Sequence, residues 1–268
     1  MIDNPRSPRV RAVAKLAKKS RRQEARLFLV EGPQAVREAL RHAASGVVDV
    51  FITPEAFSKN ADIVQLCLDA GVEMEQVSDQ VLAQMADTTT PQGVIAVSQM
   101  ATTSMDDILQ GNPALIVILD RVSDPGNAGT IIRVAVAAGA QGVLVTNDSV
   151  DIYNPKVVRS TTGSIFHIPI ATGVSLEQAM AGLKGSSIQV IAADMSGTPL
   201  PELAASGALQ APSAWLMGNE AHGLDDDTLA ASDVVASVPQ YGPVESMNLA
   251  TAAAVCLFQS AFAQRSGH

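Results

Sequence analysis

With 268 residues, 47% of them apolar and 17% charged, the chain is long for one core and comfortable for two. That apolar content excludes disorder over most of the length. The N-terminus lacks the apolar stretch of a secretory signal, and no run approaches the roughly 18 apolar residues of a bilayer span, so a cytoplasmic protein without a membrane partner is expected. Cys67 and Cys256 lie far apart in apolar surroundings, and with four scattered histidines they offer no zinc spacing. Both cysteines are expected in the core, and no metal is expected.

The net charge of −9 argues against a polyanion-binding protein until the charges are counted by position. Residues 1–41 hold eleven Lys or Arg against four acids, while the remainder holds seven against twenty-three. A basic end on an acidic body can supply phosphate-neutralising charge locally while the whole stays soluble. A solvated basic tail accounts equally well for the count.

The first twenty-six residues are basic and poor in large apolar side chains, which suits an arm or an exposed helix that orders on its ligand. From Leu27 the pattern changes. Leu27–Val30 is a short buried strand, Glu31-Gly32-Pro33 a turn, and Ala35, Val36, Ala39 and Leu40 recur at helical spacing. Val47–Ile52 is a second strand, Ile63–Leu68 lies in a second helix, and short elements at Val72–Val77, Val81–Met85 and Val94–Val97 complete an alternating α/β domain over residues 1–100. Residues 101–113 are polar and turn-rich and are expected to be a linker. Residues 114–268 form the second domain. Ala114–Leu119 resembles a central parallel strand with a loop at its carboxyl end. Further strands are expected at Val143–Thr146, Phe166–Ile170, Gln189–Ala193, Ala214–Met217 and Val234–Val238, then an Ala-rich helix from about Ser246 to Phe262. The fold class is α/β with a mostly parallel sheet.

Three loops carry the polar residues of interest. In residues 119–140 an apolar strand leads into Asp124-Pro125-Gly126-Asn127-Ala128-Gly129 and a helix bearing Arg133. The phosphate-binding glycine patterns of Rossmann and Walker sites are missing, as is a Gly-x-Ser-x-Gly elbow. In residues 216–224 Gly218 permits close backbone approach, and Asn219 and Glu220 sit at a strand's carboxyl end. In residues 238–258 an irregular Pro- and Gly-containing loop delivers Ser246 and Asn248 to the start of the last helix, where Ser246 can also act as a cap. Taken singly each loop has a structural reading: a surface ion pair for Arg133, a turn for Gly218, a solvated carboxylate for Glu220.

In this order and at these separations the loops resemble the signature motifs of the SpoU (TrmH-like) family of RNA methyltransferases, in the SPOUT superfamily. The residues are Asp124-Pro125-Gly126-Asn127-Ala128-Gly129 with Arg133, Gly218-Asn219-Glu220 with Gly223, and Val238-Pro239-Gln240 with Ser246-Met247-Asn248. Val238, Gln240 and Met247 depart from the family pattern. Arg26–Gly32, Thr90–Val94 and residues 151–163 look familial too, the first two similar to a small ribosomal-protein-like RNA-binding domain.

The resemblance implies a C-terminal domain with a deep trefoil knot that binds S-adenosyl-L-methionine, an RNA 2′-O-ribose methyltransferase activity, and a homodimer formed through the catalytic domain. It assigns chemistry to Arg133, Asn127, Glu220, Ser246 and Asn248, with Asn127 orienting Arg133 or the ribose and Glu220 holding the arginine or a cofactor edge. The cofactor wall is assigned to Leu216, Gly218, Asn219, Val238 and Met247. Arg133 could act as the base or as a phosphate anchor and oxyanion stabiliser; guanidinium groups hold their proton to a pH above about 12, which makes the first role demanding. RNA phosphates would be met by Arg9, Arg11, Lys15, Lys18, Lys19, Arg21, Arg22 and Arg26. The separate N-terminal domain favours 23S ribosomal RNA. Transfer RNA, or ribosomal RNA in an antibiotic-resistance role, are the alternatives. From another class, a non-catalytic RNA-binding ribosome-assembly protein is opposed by the intact motif residues, and a small-molecule nucleotide enzyme by the missing phosphate loops.

Overall fold

A computed structural model describes residues 1–266. The chain divides into two compact units. One comprises Met1–Ala101 together with Asp151–His167; the other comprises Thr102–Val150 and the chain from Ile168 onward.

The first unit is built on β1 (Leu27–Glu31), β2 (Val47–Ile52), β3 (Glu73–Gln76) and β4 (Val94–Gln99) in the order β1-β4-β2-β3. β4 pairs antiparallel with β1 and β2, and β2 pairs parallel with β3. The basic N-terminal segment is not an arm. It folds into helices Pro8–Ala14 and Lys19–Ala25, because Val10, Val13 and Leu16 recur every three residues and bury against Leu29, Phe51, Leu82 and Ile95. Arg22 is 2% exposed. Its guanidinium donates to the carbonyls of Leu16 and Ala17 at 2.9 and 2.8 Å and to Asp151 Oδ2 at 2.6 Å.

Residues 151–167, expected within the second domain, pack with the first for identifiable reasons. Asp151 answers the Arg22 charge. Tyr153 and Phe166 flank Phe28, with ring centroids at 4.7 and 6.2 Å. Arg159 pairs with the buried Glu31 at 2.7 Å and with Asp87 at 2.9 Å. The expected strand Phe166–Ile170 is displaced accordingly. Phe166 ends a 3-10 turn, and pairing with β6 starts at the Pro169 carbonyl, which accepts from Val143 N at 3.0 Å, while Pro169 has no N–H to extend the ladder further back.

The second unit holds six strands, β5 (Leu115–Leu119), β6 (Gly142–Thr146), β7 (Ile170–Val174), β8 (Gln189–Pro199), β9 (Ser213–Met217) and β10 (Val234–Ser237). They run β10-β8-β9-β5-β6-β7, every pairing parallel. β5, β6 and β9 are buried along their whole length, as expected of strands covered on both faces. The region expected to be a linker contains a helix, Met105–Gln110, closed by a Ser104/Asp107 capping box and burying Ile108 in the core of this unit. The last helix runs Leu249–Arg265, three residues later than expected at its start, and Trp215 Nε1 donates to its Ser260 at 2.9 Å. Both cysteines are buried, which pushes Cys67 up to about 11 and Cys256 to about 12. Among the described residues no helix is long and apolar enough to cross a membrane.

Candidate active site

The loops that follow β5, β9 and β10 leave carboxyl ends of the same parallel sheet, where ligands of open α/β folds bind. After β5 the chain makes a left-handed turn at Arg121, φ 54°. Arg121 is pinned on all sides: its N–H donates to Thr146 Oγ1, its carbonyl accepts from Asn219 Nδ2 at 2.8 Å, and its guanidinium reaches Asp120 at 2.9 Å and Asp225 at 3.1 Å. Asp124 then caps the helix Pro125–Ala138, accepting from Asn127 N at 2.7 Å. The helix therefore begins at Pro125, ahead of the turn expected through Gly129. Asn127 and Arg133 both project from it, six residues and about 240° apart around the axis.

Glu220 gathers this loop. Its Oε2 accepts from Ser123 N and Oγ at 3.0 and 2.9 Å, and its Oε1 from Asp124 N at 3.0 Å and Asn127 Nδ2 at 3.1 Å. Burial works against the charged form, but the donors from Ser123, Asn127 and Asp124 outweigh it and hold the carboxyl down at about 2. The expected contact of Glu220 with Arg133 is not made; backbone donors reach the carboxylate first. Asn127 carries the connection further: its Oδ1 accepts from Asn248 Nδ2 at 2.9 Å, while Asn248 Oδ1 caps the last helix at Thr251 N. Glu220, Asn127 and Asn248, one residue from each loop, thus form a single hydrogen-bonded relay.

The remaining expected site residues divide. Arg133 is exposed and makes no hydrogen bond or ion pair among the described residues, so Asn127 does not orient it here. Ser246 is exposed and does not cap the helix, because Asn248 holds that position. Gly218 is buried where a Cβ would stand 2.8 Å from the Gly223 backbone, so glycine allows the close Asn219–Gly223 bridge. Asn219 is consumed by the turn, its Oδ1 accepting from Ala221 and His222. The Leu216 side chain lies in the core and presents only backbone to a ligand. Val238 is half-buried and Met247 is 37% exposed. The sequence reading missed Ser123 and Arg121; the polar cluster Asp120-Arg121 at a strand end was the available signal.

The basic residues of the first unit divide similarly. Arg22 is structural, Arg9 is held by Asp49 at 2.6 Å, and Arg21 pairs with Glu24. Arg11, Lys15, Lys18, Lys19 and Arg26 are exposed and make no ion pair among the described residues.

A parallel α/β sheet with a polar relay at its strand ends has the arrangement in which open α/β folds bind ligands. Residues 114–258 match the model of the SpoU rRNA Methylase family, and residues 7–96 that of the MRM3-like substrate binding domain. The chain belongs to the SpoU rRNA Methylase family. It is 31% identical to the 23S rRNA (guanosine(2553)-2′-O)-methyltransferase RlmP of Bacillus subtilis, over 96% of this chain and 97% of that one. It is 30% identical to the 23S rRNA (guanosine-2′-O-)-methyltransferase RlmB of Bordetella pertussis, over 87% of this chain and 96% of that one. Among solved structures, the SpoU methyltransferase AviRb from Streptomyces viridochromogenes, in complex with the cofactor AdoMet, superposes with a TM-score of 0.84 at 27% identity, covering 98% of this chain and all of that one. The fold is that of the SPOUT methyltransferases.

Proposed function

We propose that the chain transfers a methyl group from S-adenosyl-L-methionine to a ribose 2′-hydroxyl of 23S ribosomal RNA. The relay of Glu220, Asn127 and Asn248 carries this reading, because it joins the three motif loops through one residue of each and leaves the Arg133 and Ser246 side chains exposed. The names of the relatives, which match along both halves of the chain, support the substrate.

The residues of the third loop fit the cofactor. Gln240 Oε1 is buried and has no partner among the described residues, an acceptor suited to a purine amino group. Tyr241, Val244 and Met247 offer exposed apolar contact, as does Met195 of β8. When bound, the cofactor supplies a methyl carbon on a sulfonium, open to in-line attack by an oxygen. The 2′-hydroxyl must give up its proton, to solvent or to a nearby RNA phosphate, as it attacks, so the chain must position that oxygen and stabilise the negative charge that deprotonation leaves on it. Arg133 presents a planar fork of donors suited to a phosphate and a ribose oxygen together, and we assign it to anchoring the substrate and stabilising the developing oxyanion. Ser246 is assigned to the hydroxyl's surroundings. Glu220, Asn127 and Asn248 position the loops that carry them.

Residues 1–101 together with 151–167 are read as the RNA-binding domain, and residues 102–150 with the chain from 168 onward as the methyltransferase domain, with Arg11, Lys15, Lys18, Lys19 and Arg26 available to phosphates. A homodimer through the catalytic domain is supported by Val255, Phe258 and Phe262, an apolar stripe at helical spacing on the last helix whose ends are 40% and 62% exposed. The cytoplasm is the expected compartment. The test is incubation of the purified chain with methyl-labelled cofactor and 23S ribosomal RNA, then nuclease digestion: label in a 2′-O-methyl nucleoside supports the reading, and label on a base contradicts it.

A further inference from the structure

Two histidines that the sequence keeps 125 positions apart meet in the first unit. The His42 and His167 rings lie with centroids 4.0 Å apart. Both face one carboxylate: Glu38 Oε2 is 2.7 Å from His167 Nε2 and 3.5 Å from His42 Nε2. One ligand atom from each of the three residues falls within 4.8 Å of the others. Donors around a tetrahedral ion at roughly 2.0–2.1 Å stand roughly 3.3 Å apart, so small side-chain rotations convert this cluster into a coordination shell.

The carboxylate is held ready. Glu38 and His42 are four residues apart on helix Pro33–His42 and so share a face. Glu38 Oε1 is already engaged, by Gln34 Nε2 at 3.2 Å and by Arg41 Nη1 at 3.7 Å, which turns Oε2 toward the imidazoles. Gly163, at φ 96°, crosses the stem of Glu38 so closely that a Cβ there would stand 2.6 Å from Glu38 Cγ. Only glycine suits that crossing. Hydrogen bonds and packing around a ligand are what orient it for a metal. The Arg41 charge opposes a cation, but it lies against the oxygen the site does not use.

We propose that Glu38, His42 and His167 bind one divalent transition-metal ion of the zinc class, in a site that shares no residue with the methyl-transfer set. Two imidazoles and a carboxylate suit Zn²⁺, Ni²⁺ or Cu²⁺, whereas Mg²⁺ and Ca²⁺ require oxygen shells. Three protein ligands leave a fourth position to water. Binding replaces the His167–Glu38 hydrogen bond and requires neutral imidazoles, so it weakens in acid. The ion ties helix Pro33–His42 to the end of segment 151–167. Because it binds only the folded chain, it raises thermal stability by mass action.

The test is calorimetric titration of zinc chloride into the untagged, chelator-stripped full chain near neutral pH, with the melting temperature followed in parallel. The expected result is one ion per chain with a rise in Tm, and no response to magnesium. His42→Ala and His167→Ala should each weaken zinc more than about tenfold and abolish the rise, with metal-free melting near that of the parent chain; Glu38→Gln should weaken it less. If a histidine-to-alanine variant melts early without metal, the corresponding glutamine variant replaces it. Absence of binding, a zinc response that survives loss of either histidine, or an equal response to magnesium would each overturn the proposal.

Discussion

The basic N-terminal segment and the three-loop site both divide their polar residues into those spent on structure and those left open, but they spend them differently. In the N-terminal segment the most deeply spent residue is Arg22, sealed inside the first unit on two carbonyls and Asp151. In the three loops the spent residues, Glu220, Asn127 and Asn248, bond one another across the loops while Glu220 and Asn248 stay exposed and Asn127 half-buried, and the Arg133 and Ser246 side chains are exposed. A charged residue within a functional cluster is thus not a ligand contact by virtue of its type. Its donors must still be free.

Mutation sharpens that contrast. The largest effect is expected at Arg22, where alanine leaves Asp151 with an unanswered charge in a mostly buried setting. Breaking such a pair costs about 3–5 kcal/mol, so Arg22→Ala should lower Tm sharply in thermal melts. RNA binding that falls while Tm holds would instead make Arg22 a phosphate ligand.

Arg133→Lys keeps the charge and loses the fork. Single-turnover methylation should drop at least about a hundredfold, the scale of a positioned catalytic group, with cofactor affinity nearly unchanged. Parallel collapse of cofactor affinity would move Arg133 into the cofactor site.

Glu220→Gln places an amide where four donors converge, so some of them lose their acceptor. A fall in both cofactor affinity and methylation of about tenfold is expected from the loosened frame. The pH dependence follows from the lowered carboxyl. Its folded value of about 2 lies below the ordinary 4.5, so its stabilisation is fully present above that ordinary value and is lost as pH falls toward the folded one. The Tm difference between wild type and Glu220→Gln should therefore hold constant from about pH 8 to about pH 5 and shrink only below about 4.5. A difference that changes across the neutral range would show that Glu220 is not held as an anion.

The smallest effect is expected from replacing Arg11, Lys15, Lys18 and Lys19 together by alanine. These exposed residues should leave Tm intact and flatten the salt dependence of RNA affinity, by up to about one unit of slope for each phosphate no longer neutralised.

Much of this was legible in the sequence, for local reasons. The run Ala114–Leu119 and the three loops declared themselves because a buried parallel strand and a strand-end turn each leave a continuous signature. The union of Asp151–His167 with the first unit left no such trace. It depends on Asp151 finding Arg22, Tyr153 and Phe166 finding Phe28, and Arg159 finding Glu31, pairings across more than a hundred residues that no local pattern encodes. The burial of Arg22 and the meeting of His42 with His167 were hidden by the same distance. In the three loops the polar residues could be singled out but their partners could not: whether Glu220 serves Arg133 or the Ser123–Asp124 backbone is decided by three-dimensional proximity.

The activity proposed for this chain is methylation of a ribose of large-subunit ribosomal RNA. Mapping ribose methylation across total RNA from cells with and without the gene tests it most directly. One 2′-O-methyl site in 23S ribosomal RNA should disappear and return when the wild-type gene is restored, but not with the Arg133→Lys variant. An unchanged map, or a lost site confined to transfer RNA, would contradict it.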